Sequence, residues 1–442
     1  MRLIAAGAAL AILVTTGFFV YDFLYRTDDA RASDHSRLPG YAWRKSLKMT
    51  LAPNTSGALM RNFPVFVQVQ DPDLKHLSAG GKVSHRKGFD IRFTKADGFS
   101  MLPSFNEVYD PQTGKLGAWV LLDSLRQGES PELFLYFSNS AIQADAPNLV
   151  FQGEYAAVFH LHRNLLSEGT LKVRANHSGT SDAEGQLGDA KAFNATNGDY
   201  AEYGYQQKLD LPGEIGLSCW IYPDKLGKEQ VIAGNMGDAP GGYRWVLQAD
   251  GTLDFGFSNA AGQFIHLTQG KGEKLEAGKW NFVAATWSKE KRSIQTYVNG
   301  ISDRSMNTIE IPASTASAWV LGNDRFRENV GFSGRIDEFR ISAKAWPQSW
   351  LAAEYQVLVQ AASAFRASAS ESMQLDAASL EANRKAMKAG EAQQLELARQ
   401  KNTLEAQKSK GSEVAPATVS SSAQIMQQRM NRMRDVSAKN GR

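Results

Sequence analysis

Between residues 43 and 342 the chain is cut into short runs of β-branched and aromatic residues, each closed by glycine, proline, asparagine or aspartate. Leu47-Lys48-Met49-Thr50-Leu51 alternates apolar and polar, and Phe63-Pro64-Val65-Phe66-Val67-Gln68-Val69 is β-branched and aromatic. Asp90-Ile91-Arg92-Phe93-Thr94, Ala118-Trp119-Val120-Leu121-Leu122 and Glu132-Leu133-Phe134-Leu135-Tyr136-Phe137 follow. Ala96-Asp97-Gly98 and Pro111-Gln112-Thr113-Gly114 punctuate them. Runs this short, with turns this regular, build antiparallel sandwiches rather than helices. Pro64 reads as the start of its strand, where a missing N–H is tolerated.

A second all-β stretch runs from about residue 156 to 356. It contains Ile215-Gly216-Leu217-Ser218-Cys219-Trp220-Ile221-Tyr222-Pro223 and Lys279-Trp280-Asn281-Phe282-Val283-Ala284-Ala285-Thr286-Trp287. Thr296-Tyr297-Val298-Asn299-Gly300 then ends on a hairpin signal, since both central residues of a type I′ turn need positive φ. Trp220, Trp280 and Trp287 read as core residues.

The chain of 442 residues predicts more than one folded unit. Its net charge of +3 is spread along the sequence, and no basic stripe marks a nucleic-acid partner. Cys219 is the single cysteine, so no intrachain disulfide forms, and its apolar surroundings predict a buried, inert thiol. An exported chain without disulfides fits a bacterial envelope.

Export is predicted by the N-terminus. After Met1-Arg2 the chain is uncharged from Leu3 to Tyr21, roughly 28 Å of helix at about 1.5 Å per residue. Tyr21, Phe23 and Tyr25 supply interfacial aromatics. The length favours an uncleaved anchor over 1–26, with the N-terminus in the cytoplasm and the bulk in the periplasm. Secretion after signal cleavage is the alternative, but Ala30-Arg31-Ala32 lies far behind the apolar run. A polar stalk over 27–42 follows. After about residue 356 Ala, Gln, Glu and Lys dominate, which predicts a helical or disordered tail over 357–442. Near its end Met426, Met430 and Met433 recur at about helical spacing and are candidate partner-docking residues; a frayed basic tail is the other reading.

Phe63-Pro64-Val65, Gly88-Phe89-Asp90-Ile91-Arg92-Phe93, Leu102-Pro103, Tyr109-Asp110, Trp119-Val120 and Leu135-Tyr136-Phe137-Ser138-Asn139 resemble, in order, the domain of unknown function 2341. The resemblance covers about residues 43–145 and departs at Ser138, where members commonly carry glycine. The series Phe193-Asn194, Asp199-Tyr200-Ala201-Glu202, the two tryptophan strands, Asn299-Gly300 and Phe332-Ser333-Gly334-Arg335-Ile336-Asp337-Glu338-Phe339-Arg340-Ile341-Ser342 is similar to the laminin-G-like, concanavalin-type jelly rolls. This second resemblance, over about 146–356, implies two stacked antiparallel sheets of six or seven strands each. Together they imply an all-β envelope protein: two consecutive antiparallel sandwiches, an N-terminal transmembrane helix and a C-terminal tail. Some proteins with this architecture carry a proton channel of the MotA/TolQ/ExbB type.

No enzyme signature is present: no Gly-x-Ser-x-Gly elbow, no His-Glu-x-x-His, no phosphate loop. Strand alternation sends Asp337 and Glu338 to opposite faces, which speaks against a glycosidase pair. In laminin-G-like domains an acidic residue at the place of Asp337 can lie near a calcium site or hold a loop by hydrogen bonds, and both readings stay open. His160 and His162 share a strand face and could seat a metal, but no third ligand is evident nearby, and a surface or hydrogen-bonded pair is the reading that ligand count favours. In Gly237-Asp238-Ala239-Pro240-Gly241-Gly242-Tyr243-Arg244-Trp245, Tyr243 and Trp245 are candidate ligand-stacking residues, with core packing as the competing reading.

Two function classes follow. One is a non-enzymatic, membrane-anchored periplasmic accessory or scaffold subunit, partnered with a TolQ/ExbB-type channel. The other is a carbohydrate- or peptidoglycan-binding module.

Overall fold

The computed structural model describes residues 38, 40–49, 57–126, 128–161, 165–267, 271–361 and 363–373. The expected anchor over 1–26, most of the stalk, His162, and Met426, Met430 and Met433 lie outside the described residues. Among the described residues no helix is long and apolar enough to cross a membrane.

Seven strands open the fold: β1 (Trp43–Met49), β2 (Met60–Gln70), β3 (Arg92–Lys95), β4 (Met101–Leu102), β5 (Ser104–Asp110), β6 (Lys115–Leu125) and β7 (Glu132–Phe137). The next group begins with β8 (Ala157–Phe159), β9 (Asn176–Ser178), β10 (Ser181–Glu184), β11 (Asp189–Phe193) and β12 (Tyr200–Glu202). Then come β13 (Ile215–Pro223), β14 (Gln230–Gly234), β15 (Tyr243–Leu247), β16 (Leu253–Ser258) and β17 (Phe264–His266). β18 (Asn281–Ser288), β19 (Ser293–Val298), β20 (Ile301–Asn307), β21 (Val320–Leu321) and β22 (Gly334–Ser342) complete the group. Helix α1 (Gln348–Val359) and two short strands, β23 (Phe365–Ala367) and β24 (Glu371–Ser372), close the described chain.

In the first sandwich a three-stranded sheet, β2-β6-β5, faces a sheet ordered β23-β1-β7-β3-β4, with β24 also on β1. Pro64 lies inside β2, opposite Leu121, rather than at its start; β2 is an edge strand, where a missing ladder N–H is tolerated. Asp90 ties the sheet edge together. Its buried carboxylate accepts the N–H groups of Ser84 at 2.8 Å, His85 at 3.0 Å, Ser138 at 3.1 Å and Asn139 at 3.3 Å.

The second sandwich stacks an eight-stranded sheet, β10-β11-β22-β13-β18-β19-β20 with β8 on β22, against a seven-stranded sheet, β17-β16-β15-β14-β21-β12-β9. Between them lies a core of Trp245, Phe255, Phe257, Trp287, Trp319 and Phe339, among others. Cys219 is buried in it, as its sequence setting predicts. Asn299 at φ 50 and Gly300 at φ 78 make the expected turn between β19 and β20.

The strand β22 departs from simple alternation. Its pairing with β13 slips between Ser218 and Trp220, and Glu338 takes φ 53 in the resulting bulge. The extra residue re-phases the strand. Ile336, Phe339 and Ile341 all enter the sandwich core, while Glu338 and Arg340 point away from it. Asp337 binds backbone beside Leu187, which belongs to the cluster on that same outer side. Asp337 and Glu338 are therefore on one side of the strand, which corrects the expectation of opposite faces.

All described residues belong to one compact unit, 1–375. The outer face of the eight-stranded sheet is covered from within it. Trp220, Phe282 and Tyr297 on that face share one apolar cluster with Phe63 and Trp119 of the first sandwich and with Trp350 and Leu351 of α1. Trp350 meets Phe63 edge-on at 4.9 Å, and Tyr355 lies 5.7 Å from Trp220. Of the three tryptophans expected in the core, Trp287 is in the sandwich interior and Trp220 in the interface. Trp280 is half-buried at the rim, beside Tyr222 and under Arg335. Burying each such large side chain contributes roughly 1.5–3 kcal/mol.

Candidate functional site

Two places concentrate chemistry: the seam between the sandwiches and the outer face of the seven-stranded sheet.

At the seam, β5 contributes Glu107, the segment after β8 contributes His160, β22 contributes Glu338 and Arg340, and α1 contributes Glu354. His160 Nδ1 lies 2.6 Å from Glu338 Oε1 and 3.5 Å from Glu107 Oε2. Arg340 bridges onward, donating to Glu338 Oε2 at 2.7 Å and Glu354 Oε1 at 2.8 Å. Ser218 also donates to Glu354, and the Trp119 indole N–H to Glu107. The Arg340 guanidinium lies 4.8 Å from the Trp119 ring centre, and Phe151 is 5.4 Å from the His160 ring.

The charged side chains of this cluster are sealed from solvent, Glu107 and Glu338 at 1% exposure. Burial pushes the Glu107 carboxyl up to about 7, with His160 opposing and Glu338 adding. Burial would raise Glu338 too, but His160 and Arg340 outweigh it and hold it at about 2. Burial would lower His160, but Glu338 and Glu107 outweigh it and raise it. Burial and Glu338 raise Asp337, and burial raises Glu354.

Glu107, His160 and Glu338 place one ligand atom each within 4.8 Å of the others. The 2.6 Å contact between His160 and Glu338 is a hydrogen-bond spacing, and Arg340 already supplies positive charge to Glu338. The arrangement is that of a charge network joining two sandwiches, closed to any substrate. His160 finds partners 53 and 178 positions away, at Glu107 and Glu338. Asp337 accepts the N–H groups of Gln186 at 2.9 Å and Leu187 at 3.0 Å. Of its two readings, loop-holding is the one this geometry fits.

The outer face of the seven-stranded sheet is different in kind. Tyr243 and Trp245, the candidate stacking residues, are 2% and 0% exposed and belong to the core. Their strand alternates, so Arg244 between them faces outward. The sheet register puts Arg244 opposite Gly234 on one side and Gly256 on the other. Gly256 in turn faces His266, while Gly234 faces Val320, which faces Glu202. The two positions directly paired with Arg244 thus carry no side chain. From His266 across to Asn176 on β9, seven strands at about 4.8 Å span about 29 Å.

Polar and aromatic groups line the trough that Gly234 and Gly256 leave. Phe264 stacks on His266 at 4.7 Å, and the Arg244 guanidinium lies 4.9 Å from the Phe264 ring centre. His266 Nδ1 bonds Asp254 at 2.8 Å. Tyr200 stands on β12 beside Glu202, with Arg325 6.0 Å from its ring. Glu202 pairs with Arg325 and Glu229 with Arg327, while Asp254 bonds the His266 ring. Strand alternation signalled that Arg244 opposes Tyr243 and Trp245; what the sequence lacked was which of the two faces is buried.

Residues 194–352 match the concanavalin A-like lectin/glucanases superfamily, so the second sandwich carries a concanavalin A-like jelly roll. No curated protein matches the chain. Among solved structures, the chain is similar to the binding domain of Paraclostridial Mosquitocidal Protein 1, at 15% identity and TM-score 0.39 over 46% of this chain and 52% of that one. It is similar to the botulinum neurotoxin serotype D binding domain, at 14% identity and TM-score 0.39 over 46% and 51%. It is also similar to domain 4 of AbnA, a GH43 extracellular arabinanase from Geobacillus stearothermophilus, in complex with arabinotriose, at 18% identity and TM-score 0.37 over 45% and 97%. The chain thus spans about half the length of the toxin binding domains it matches. Likeness at that level says nothing of what this chain binds.

Proposed function

We propose that the protein is a non-enzymatic glycan-binding module held in the bacterial envelope, and that it binds along the trough of the seven-stranded sheet. One observation carries the reading. The first sandwich and α1 pack on the eight-stranded sheet, while the other sheet presents Arg244 between two glycines, flanked by His266, Glu202 and Tyr200. Sugars are recognised by planar hydrogen-bonding groups beside aromatic faces in a shallow cleft, and this face supplies both. The superfamily match agrees with it. On this face Glu202 and Glu229 are paired with arginines, and the buried carboxylates of the seam are sealed, which favours binding over hydrolysis. The scaffold-subunit reading rests on the N-terminal run and the tail, outside the described residues.

The test is binding of the full-length chain to a glycan array and to sedimented cell-wall polysaccharide, beside Arg244→Ala and His266→Ala. Binding by the parent, lost in both variants at unchanged melting temperature, supports the reading. Binding to no glycan at millimolar concentration, with stoichiometric co-purification of a proton-channel protein, overturns it in favour of the scaffold reading.

A further inference from the structure

The trough is crossed by residues 323–329, a strap whose side chains reach three different parts of the sheet. Arg325 pairs with Glu202 on β12, Arg327 with Glu229 just before β14, and Asp324 with Arg244 on β15. Its far end is pinned where Val330 packs on Val231 and Val246. Gly322 at φ 76 precedes the strap and Gly331 follows it. Phe326 in its middle is 54% exposed, so the strap buries little apolar surface of its own. Partly exposed ion pairs are its hold on the sheet, and such pairs are individually weak.

The pair at its centre is incomplete. Asp324 Oδ2 lies 3.3 Å from Arg244 Nε, a single long contact at the edge of hydrogen-bond range. Asp324 spends its other oxygen on the Phe326 N–H at 2.9 Å, so its carboxylate is held by the strap's own turn. Arginine engages a carboxylate best through two parallel N–H bonds, a geometry Asp324 does not reach. The sheet therefore offers a guanidinium 4.9 Å from the Phe264 ring centre, between two glycine positions, with a carboxylate of the protein on it through a single 3.3 Å contact.

We propose that the ligand is an acidic glycan, whose uronate-type carboxylate displaces Asp324 from Arg244 as the strap lifts. This rests on the glycan-binding reading above and names its substrate class. Asp324 is then an internal competitor, and removing its charge strengthens binding. Arg325 acts in the same direction: cutting its pair with Glu202 on β12 frees the strap at a point away from Arg244.

The experiment compares oligogalacturonate with its methyl ester, the same sugar without the charge, by calorimetric titration of the full-length chain. The acid is expected to bind about tenfold more tightly than the ester, the size of one charge-assisted contact. Arg244→Gln should erase that gap. Asp324→Asn should raise affinity for the acid several-fold, and Arg325→Gln should do so independently. Acid and ester binding equally, or Asp324→Asn weakening the acid, overturns the inference while leaving glycan binding intact. Binding of neutral glycans alone does the same. Absence of binding to every glycan overturns the underlying reading as well.

Discussion

Ser138 sits at φ 68, in the left-handed region, directly after β7. Its N–H points to Asp90 at 3.1 Å, one of four amides that converge on that carboxylate, so the conformation is imposed by the site. The left-handed region costs an L-residue about 1–2 kcal/mol, and glycine nothing; glycine gives back about 0.5–1 kcal/mol through the greater freedom of its unfolded chain. The balance favours glycine. The backbone at this place therefore suits glycine better than serine. Ser138→Gly is expected to stabilise the chain by about 0.5–1 kcal/mol, raising the melting temperature by about 1–3 °C. A thermal melt that is unchanged or lower would remove strain at Ser138 from the account.

At the scale of elements, the strands β23 and β24 have consequences beyond their size. β23 pairs Phe365 with Met49 and β24 pairs Ser372 with Trp43, so the first sandwich is finished by residues more than three hundred positions downstream. Without them β1 becomes an edge strand, with a row of unpaired backbone groups on one side. Full-length chain cut after residue 359 is expected to keep α1 but lose this cover, melting several degrees lower and aggregating; a cut after residue 373 should do neither. Equal melts for the two truncations, followed by scattering, would show that the strands are dispensable. The sequence predicts a helical or disordered tail from 357 onward, and these strands are not legible in it, because runs of three and two residues are too short for a period-two pattern to announce them. The strands around Trp119, Trp220 and Trp287 were legible because tryptophan and β-branched residues alternate there. The turn at Asn299-Gly300 was legible from its two residues alone. The bulge at Glu338 was not, since a slipped register leaves no mark in composition, and it reversed the side assigned to one acid. The seam was invisible for a plainer reason. His160 and Glu338 are 178 positions apart, and only folding brings them together.

Across the whole molecule the buried charges act where the two sandwiches meet, so their protonation bears on the stability of the unit rather than of one strand. Glu107 has an ordinary value of 4.5 and is raised to about 7 in the fold. As pH rises from 4.5 to 7 the unfolded chain releases this proton while the folded chain keeps it, so stability falls across that window and the loss is complete above it. Asp337 and Glu354 are raised also and act in the same direction. His160 is raised from 6.5; its contribution is present below 6.5 and is lost as pH climbs through its folded value. Glu338, held at about 2, acts at the other end: its contribution is present above 4.5 and is lost as pH falls toward 2. Above about pH 5 the raised groups therefore lower stability together, and on the acid side the Glu338 contribution is lost as pH falls below 4.5. Melting temperature should therefore fall between pH 5 and 8. Glu107→Gln, which keeps the shape and an acceptor for Trp119 but has no proton to lose, should flatten the part of that decline between pH 5 and 7. Because one apolar cluster spans both sandwiches and α1, the change should appear in a single unfolding transition. Parallel pH profiles for parent and variant would take Glu107 out of the linkage, and two separate transitions would mean that the seam does not couple the sandwiches.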